Sequence, residues 1–182
     1  ARVMREIVRP VLEGMRTEGS EFRGFLFVGL MLTADGPSVI EFNVRLGDPE
    51  AQVVLPLISS DLSSLLMSAA AGELQSEKIS VGGDRRVGVV LASGGYPDSY
   101  ETGKVIHGLD AAEALPDVNV FHSGTAKRGS DLVTAGGRVL TVVGAGDDYA
   151  TATARAYGAV GKITFEGMQY RRDIAAKATG AH

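Results

Sequence analysis

Cysteine and tryptophan are both missing from the 182 residues. Without cysteine there is no disulfide framework, no thiolate metal site and no thiol nucleophile, and a reducing cytoplasm is the expected compartment. No apolar run reaches the length of a membrane span, so no membrane partner is expected. An excess of basic charge is also missing: 18 Lys and Arg stand against 22 Asp and Glu, for a net charge of −4. That balance gives no electrostatic reason to expect a nucleic-acid partner. The opening stretch ARVMREIVRPVLEGMRTEG lacks the apolar core and cleavage site of a secretory signal. It also lacks an initiator methionine and starts in mid-helix, which raises the expectation that the chain begins inside something larger. There is no Walker A pattern, no Rossmann glycine fingerprint, no internal repeat and no low-complexity tract.

What is present is an ordinary globular composition, with 45% hydrophobic and 22% charged residues. The length suits one large domain or two small ones. The 24 glycines point to many turns and short β elements.

Residues 2–17 place Val3, Ile7, Val8, Val11, Leu12 and Met15 at helical spacing, with Pro10 as a kink. Phe22–Thr33 and Ser38–Asn43 are β-rich runs around the turn Ala34-Asp35-Gly36-Pro37, which predicts an antiparallel hairpin. Asp48 is the expected N-cap of a helix with Pro49 in its first turn, and Asp61 that of a second helix to about Leu74. Leu65, Leu66 and Met67 are expected in the core. The polar segment Gln75 to Arg85 reads as the main boundary. Beyond it, Arg86–Ser93, Lys104–Leu109, Val118–Lys127 and Arg138–Gly144 read as strands. Asp147 and Asp148 open a helix, and YRRDIAAKA closes the chain. The expected class is α+β, with residues 1–80 as one domain and 81–182 as a small β-rich domain with one helix.

The stretch VIEFNVRLGDPEAQ carries the chemistry. Glu41 and Asn43 are two apart in a strand and share a face. A carboxylate and an amide oxygen side by side suit Mg²⁺, which takes one or two carboxylates and completes its shell with phosphates and water. Arg45 falls on the same face if the strand persists, and its planar fork suits a carboxylate or phosphate. A solvated strand end with an ion pair is the competing reading of these three residues. Gly94-Gly95-Tyr96-Pro97 and Thr134-Ala135-Gly136-Gly137-Arg138 are either phosphate-cradling loops or plain hairpin turns. His107 and His122 read as structural, and Arg85-Arg86 and Arg171-Arg172 as solvated charge.

GFLFVGLMLT followed by VIEFNVRLGDPEAQ resembles the phosphoribosylamine–glycine ligase family, an ATP-grasp group. The resemblance continues through GVVLASGGYPDSYETGKVIHGL, VFHSGTAKRGSDLVTAGGRVLTVVGAG and YRRDI, so it covers essentially the whole chain in order. It implies the C-terminal part of an ATP-grasp domain followed by a small β-rich domain that closes over the phosphoribosylamine. It also implies an ATP-dependent ligation of glycine to 5-phosphoribosylamine through glycyl phosphate, in purine biosynthesis. By resemblance, Glu41 and Asn43 are ligands of Mg²⁺ or Mn²⁺, and Arg45 holds the acyl substrate as a catalytic residue. Asp48 and Glu50 are then expected at the substrate. Gly95, Tyr96, Pro97, Thr134, Gly136, Gly137 and Arg138 are expected near the phosphoribosylamine.

The departure from the family is one of extent. A complete ligase of this kind is more than twice as long, and the lobe that clamps the nucleotide has no counterpart here. A missing N-terminal half is therefore an expected partner, and the chain alone is expected to be inactive. Two rival readings remain: another ATP-grasp ligase, and a non-catalytic module derived from one.

Overall fold

The computed structural model describes residues 1–74 and 79–180. Its described residues cluster into two units: those of Ala1–Asp48 with Ile58–Ser80, and those of Pro49–Leu57 with Val81–His182. Pro49–Leu57 precedes the polar boundary in sequence but packs with the second unit.

In the first unit a π-helical turn, Met4–Val8, runs into α1, Arg9–Thr17. Pro10 falls in the first turn of α1, where its missing N–H costs little. The hairpin forms as expected: β1, Phe27–Thr33, pairs antiparallel with β2, Gly36–Asn43. The strand begins five residues later than the apolar run, at Phe27 rather than Phe22. Helix α3, Leu62–Ala71, is capped by Asp61, whose carboxylate accepts the Ser63 amide at 3.0 Å and the Ser63 and Ser64 hydroxyls at 2.6 Å. Those hydroxyl and amide donors favour the charged form and hold the Asp61 pKa down at about 2. The expected core role of Leu66 and Met67 is corrected, since they are 44% and 73% exposed. Part of the expected boundary, residues 75–78, lies outside the described residues.

The second unit holds the buried core: among the described residues, every buried hydrophobic lies between Val87 and Phe165. Strand β3, Arg85–Ala92, pairs antiparallel with β7, Arg138–Gly146, which also pairs with β4, Val118–His122. Helix α5, Tyr149–Val160, lies on β7 through alanines 152, 156 and 159, all fully buried. The Asp148 side chain caps α5 by accepting the Thr151 amide at 2.7 Å, which lowers its pKa. Close approach depends on small residues: a Cβ on Gly144 would run into the Ala152 carbonyl and the Ala156 amide. A short helix α2, Glu50–Val54, packs on β3, where a Cβ on Gly88 would lie 2.8 Å from Val53 Cγ2.

Several expectations are corrected here. The cap position of α2 is Pro49 rather than Asp48. Residues 104–109 do not form a strand but make single bridges, Val105 to Val133 and His107 to Thr164. The run 118–127 is broken by Ser123-Gly124, so Thr125–Arg128 becomes β5 and pairs with β6, Asp131–Thr134. A short helix α4, Leu109–Glu113, precedes β4 in the chain. Arg86 is not solvated, since its side chain is 16% exposed and pairs with Asp84 at 3.0 Å. No helix among the described residues is long and apolar enough to cross a membrane.

Candidate functional site

The first unit positions the oxygen pair. Glu41 and Asn43 end β2 and face the same way, and the Asn43 Nδ2 donates to Glu41 Oε1 at 3.0 Å. Glu41 is exposed and Asn43 half-buried, so both reach a ligand from solvent. Two hard oxygen donors at one strand end fit a Mg²⁺-like ion that draws its other ligands from phosphates and water. Among the described residues no group of three or more His, Cys, Asp or Glu side chains is placed to hold a metal. Glu41 and Asn43 are the side chains that would hold such a cation.

β2 ends at Asn43, so the alternation that would align Arg45 with the pair does not persist. Arg45 lies in the bend beyond, exposed, with Nη1 donating to the Leu46 carbonyl at 3.3 Å. Asp48 sits in the turn before α2, and Glu50 is the first residue of α2.

The second unit brings several of the other residues together. A cleft of about 550 Å³ is lined by Pro49, Tyr96, Pro97 and Arg138, together with Gln169, Tyr170 and Arg171. The two glycine-rich loops meet at its wall. The Ser93 amide donates to the Gly137 carbonyl and its hydroxyl to the Gly136 carbonyl, each at 2.8 Å. Gly137 lies under the rings of Tyr96 and Tyr100, where a Cβ would collide with both. Gly95 takes a left-handed φ of 94°, with the Ser99 carbonyl where a Cβ would go. The Tyr96–Pro97 peptide is cis. Thr134 is set apart: it is 1% exposed, its hydroxyl accepts the Lys104 amide at 3.1 Å, and it anchors the 103–104 segment.

The sequence reading passed over Ser93 and Gln169 and took Arg171 as solvated charge; the Arg171 side chain is 72% exposed and also lines the cleft. Gln169 is fixed by a two-way backbone bridge to Ala92, and its side-chain amide donates to the Tyr96 carbonyl at 2.7 Å. Arg171 forks onto Asp173 at 2.9 and 2.6 Å, which raises the arginine's pKa and lowers the aspartate's. Only YRRDI within the resembling blocks hinted at this segment.

An antiparallel hairpin ending in a carboxylate–amide pair, followed in the chain by a small β unit with glycine-rich loops, fits the C-terminal part of an ATP-grasp enzyme. The comparisons with known proteins agree. The phosphoribosylglycinamide synthetase C domain matches residues 86–177, and the ATP-grasp (A) domain of the same synthetase matches residues 1–51. The chain belongs to the phosphoribosylglycinamide synthetase family. It is 51% identical over 179 residues to the phosphoribosylamine–glycine ligase of Neisseria meningitidis serogroup A, covering 97% of this chain and 42% of that protein. The crystal structure of the Thermotoga maritima phosphoribosylamine–glycine ligase superposes with a TM-score of 0.80 at 36% identity, over 94% of this chain and 42% of that one. A biotin carboxylase domain of the Hydrogenobacter thermophilus 2-oxoglutarate carboxylase, determined with MgADP and bicarbonate, shares the fold. Its TM-score is 0.56 at 15% identity, over 93% of this chain and 38% of that one. The chain thus spans about two fifths of the length of the relatives it matches.

Proposed function

We propose that this chain is the C-terminal part of an ATP-dependent ligase that joins glycine to 5-phosphoribosylamine in the cytoplasm. In that reaction the glycine carboxylate takes the γ-phosphoryl group of ATP, giving glycyl phosphate and ADP. The amine of phosphoribosylamine then attacks the acyl carbon, phosphate leaves and a proton is lost from nitrogen. The product is glycinamide ribonucleotide. The observation that supports this most is the Glu41–Asn43 oxygen pair at the end of β2, within the part of the chain that matches the ATP-grasp domain.

Glu41 and Asn43 would hold Mg²⁺ or Mn²⁺, which when bound offsets charge on the phosphates of ATP. Arg45 would hold the carboxylate or acyl phosphate, with Asp48 and Glu50 shaping the turn and orienting the amine. In the second unit, Arg138 would take the 5-phosphate, since a guanidinium fork matches phosphate oxygens, and Arg171, whose fork is on Asp173, would add its charge and its remaining N–H donors beside it. Tyr96, Pro97 and the amides around Gly95, Gly136 and Gly137 would shape that cleft. Residues 1–80 would be the end of the ATP-grasp domain and 81–182 the small C-terminal domain.

The remaining N-terminal part of the ligase is the proposed partner. The first unit supports this: its two-stranded hairpin exposes Met31, Leu32 and Ile40 at 56%, 80% and 63%. A lone hairpin is marginal in water, so such a face is expected to be covered in the working enzyme. The test is glycine- and phosphoribosylamine-dependent ADP release. The chain alone is expected to show none, because phosphoryl transfer needs donor, metal and acceptor held together. The chain joined to the N-terminal part of a phosphoribosylamine–glycine ligase is expected to show turnover. Robust turnover by the chain alone would refute the need for a partner, and none in the joined, folded protein would refute the ligase reading.

In the joined enzyme, Arg171→Ala is expected to raise KM for phosphoribosylamine about tenfold or more while leaving KM for ATP unchanged, as for loss of a charged contact worth about 1.5–3 kcal/mol. Steady-state kinetics with each substrate varied in turn would check it.

A further inference from the structure

Gly29 lies directly across the hairpin from Glu41. The register slips at that pair: Gly29 faces Glu41 and Leu30 faces Val39, which leaves Ile40 as the extra residue of a β-bulge. Bulges re-aim the side chains beside them. Glycine in a strand interior weakens the strand, so its presence calls for a local reason. Backbone conformation is not that reason, because Gly29 is not among the glycines with positive φ. Space is. A Cβ at position 29 would lie 3.1 Å from Glu41 Cγ, 3.5 Å from the Glu41 carbonyl oxygen and 3.5 Å from Phe27 Cε1. Carbon atoms settle at about 3.5–4.0 Å, so the first of these contacts is too close.

The Glu41 side chain is exposed and can shift at the expense of its bond from Asn43, whereas the backbone of the paired strands is held by the ladder. A side chain at position 29 is therefore relieved by moving the Glu41 carboxylate. Because Cγ carries the carboxylate, a shift there changes the approach of Oε1 to the Asn43 amide, 3.0 Å from it here. We infer that Gly29 is a positioning residue for the cation-binding pair: by carrying no side chain it lets the Glu41 carboxylate lie beside the Asn43 amide. This rests on the reading of Glu41 and Asn43 as metal ligands. Groups that orient ligands without touching the metal affect its affinity about 10–100-fold.

The test is Mn²⁺ binding to this chain, followed by the loss of the free-ion electron paramagnetic resonance signal, for the parent, Gly29→Ala, Glu41→Gln and the double variant. Gly29→Ala is expected to weaken Mn²⁺ binding about tenfold with unchanged far-ultraviolet circular dichroism. In the Glu41→Gln background the same substitution is expected to have no further effect, because the carboxylate it acts through is gone. An equal loss in both backgrounds would assign Gly29 a merely structural role and overturn the inference. So would affinity for Gly29→Ala that matches the parent. If Glu41→Gln itself leaves Mn²⁺ binding unchanged, the metal reading fails first and the inference falls with it. A second readout needs no metal: the side-chain NH₂ resonances of Asn43 are expected to shift in Gly29→Ala. Their staying in place would count against the inference even if the variant were too weak to titrate.

Discussion

Glu41→Gln in the joined enzyme is expected to reduce glycine-dependent ADP release by about three orders of magnitude. The substitution keeps the size of the side chain and one oxygen, and removes the charge. In the proposed site that charge is the only carboxylate of the cation pair, and the partner Asn43 offers a neutral amide. A metal bridging phosphate oxygens contributes several kcal/mol of charge stabilisation, and a loss of about 4 kcal/mol is about a thousandfold in rate. Because the side chain is exposed at a strand end, the fold should not change. The check is kcat and the Mg²⁺ dependence of the rate together. Excess Mg²⁺ should restore part of the rate if Glu41 is a ligand. A rate within a few-fold of the parent at every Mg²⁺ concentration would remove Glu41 from the site.

Gly144→Ala is expected to destabilise the second unit by about 3 kcal/mol, with a fall in Tm of about 10–20 °C for a unit of this size. The added methyl group would meet backbone rather than side chains: the Ala152 carbonyl, the Ala156 amide and, at 3.1 Å, the Ala156 Cα. Backbone atoms of a capped helix cannot rotate aside, so α5 must lift from β7 and open the fully buried layer around Ala152, Ala156 and Val142. Thermal unfolding followed by circular dichroism reads this directly. A Tm within about 2 °C of the parent would show that α5 rides on β7 more loosely than its buried alanines imply.

Much of the architecture was legible in order. The hairpin followed from two β-rich runs around Ala34-Asp35-Gly36-Pro37, and α3 and α5 from Asp61 and Asp148, whose side chains do cap them. These are local signals, carried by turn chemistry and by hydrogen bonds three residues long. Elements that depend on distant partners were missed. Residues 104–109 have the composition of a strand, but the neighbours available to them offer only single bridges, to Val133 and Thr164. Strand β5 hid within the longer run 118–127, which Ser123-Gly124 breaks, and its partner β6 was not read as a strand at all. Pro49 displaced Asp48 as the cap residue of α2.

For the site, the pairing of Glu41 with Asn43 was legible because alternation in a strand puts residues two apart on one face. The same rule failed at Arg45, where the strand had already ended. Tyr96, Pro97 and Arg138 were singled out from loops far apart in sequence, and they do line one cleft.

The sequence by itself determined the α+β class, the family and the oxygen pair, since each rests on residue types at short spacing or on blocks that match in order. Only the tertiary structure brought Arg171 and Gln169 to the cleft beside Arg138, half-buried Arg86, exposed Leu66 and Met67, and folded Pro49–Leu57 onto β3. It alone placed a glycine opposite Glu41. The reason is physical: burial and cross-strand register are set by which surfaces meet across long stretches of chain, and no local pattern of residues records that meeting.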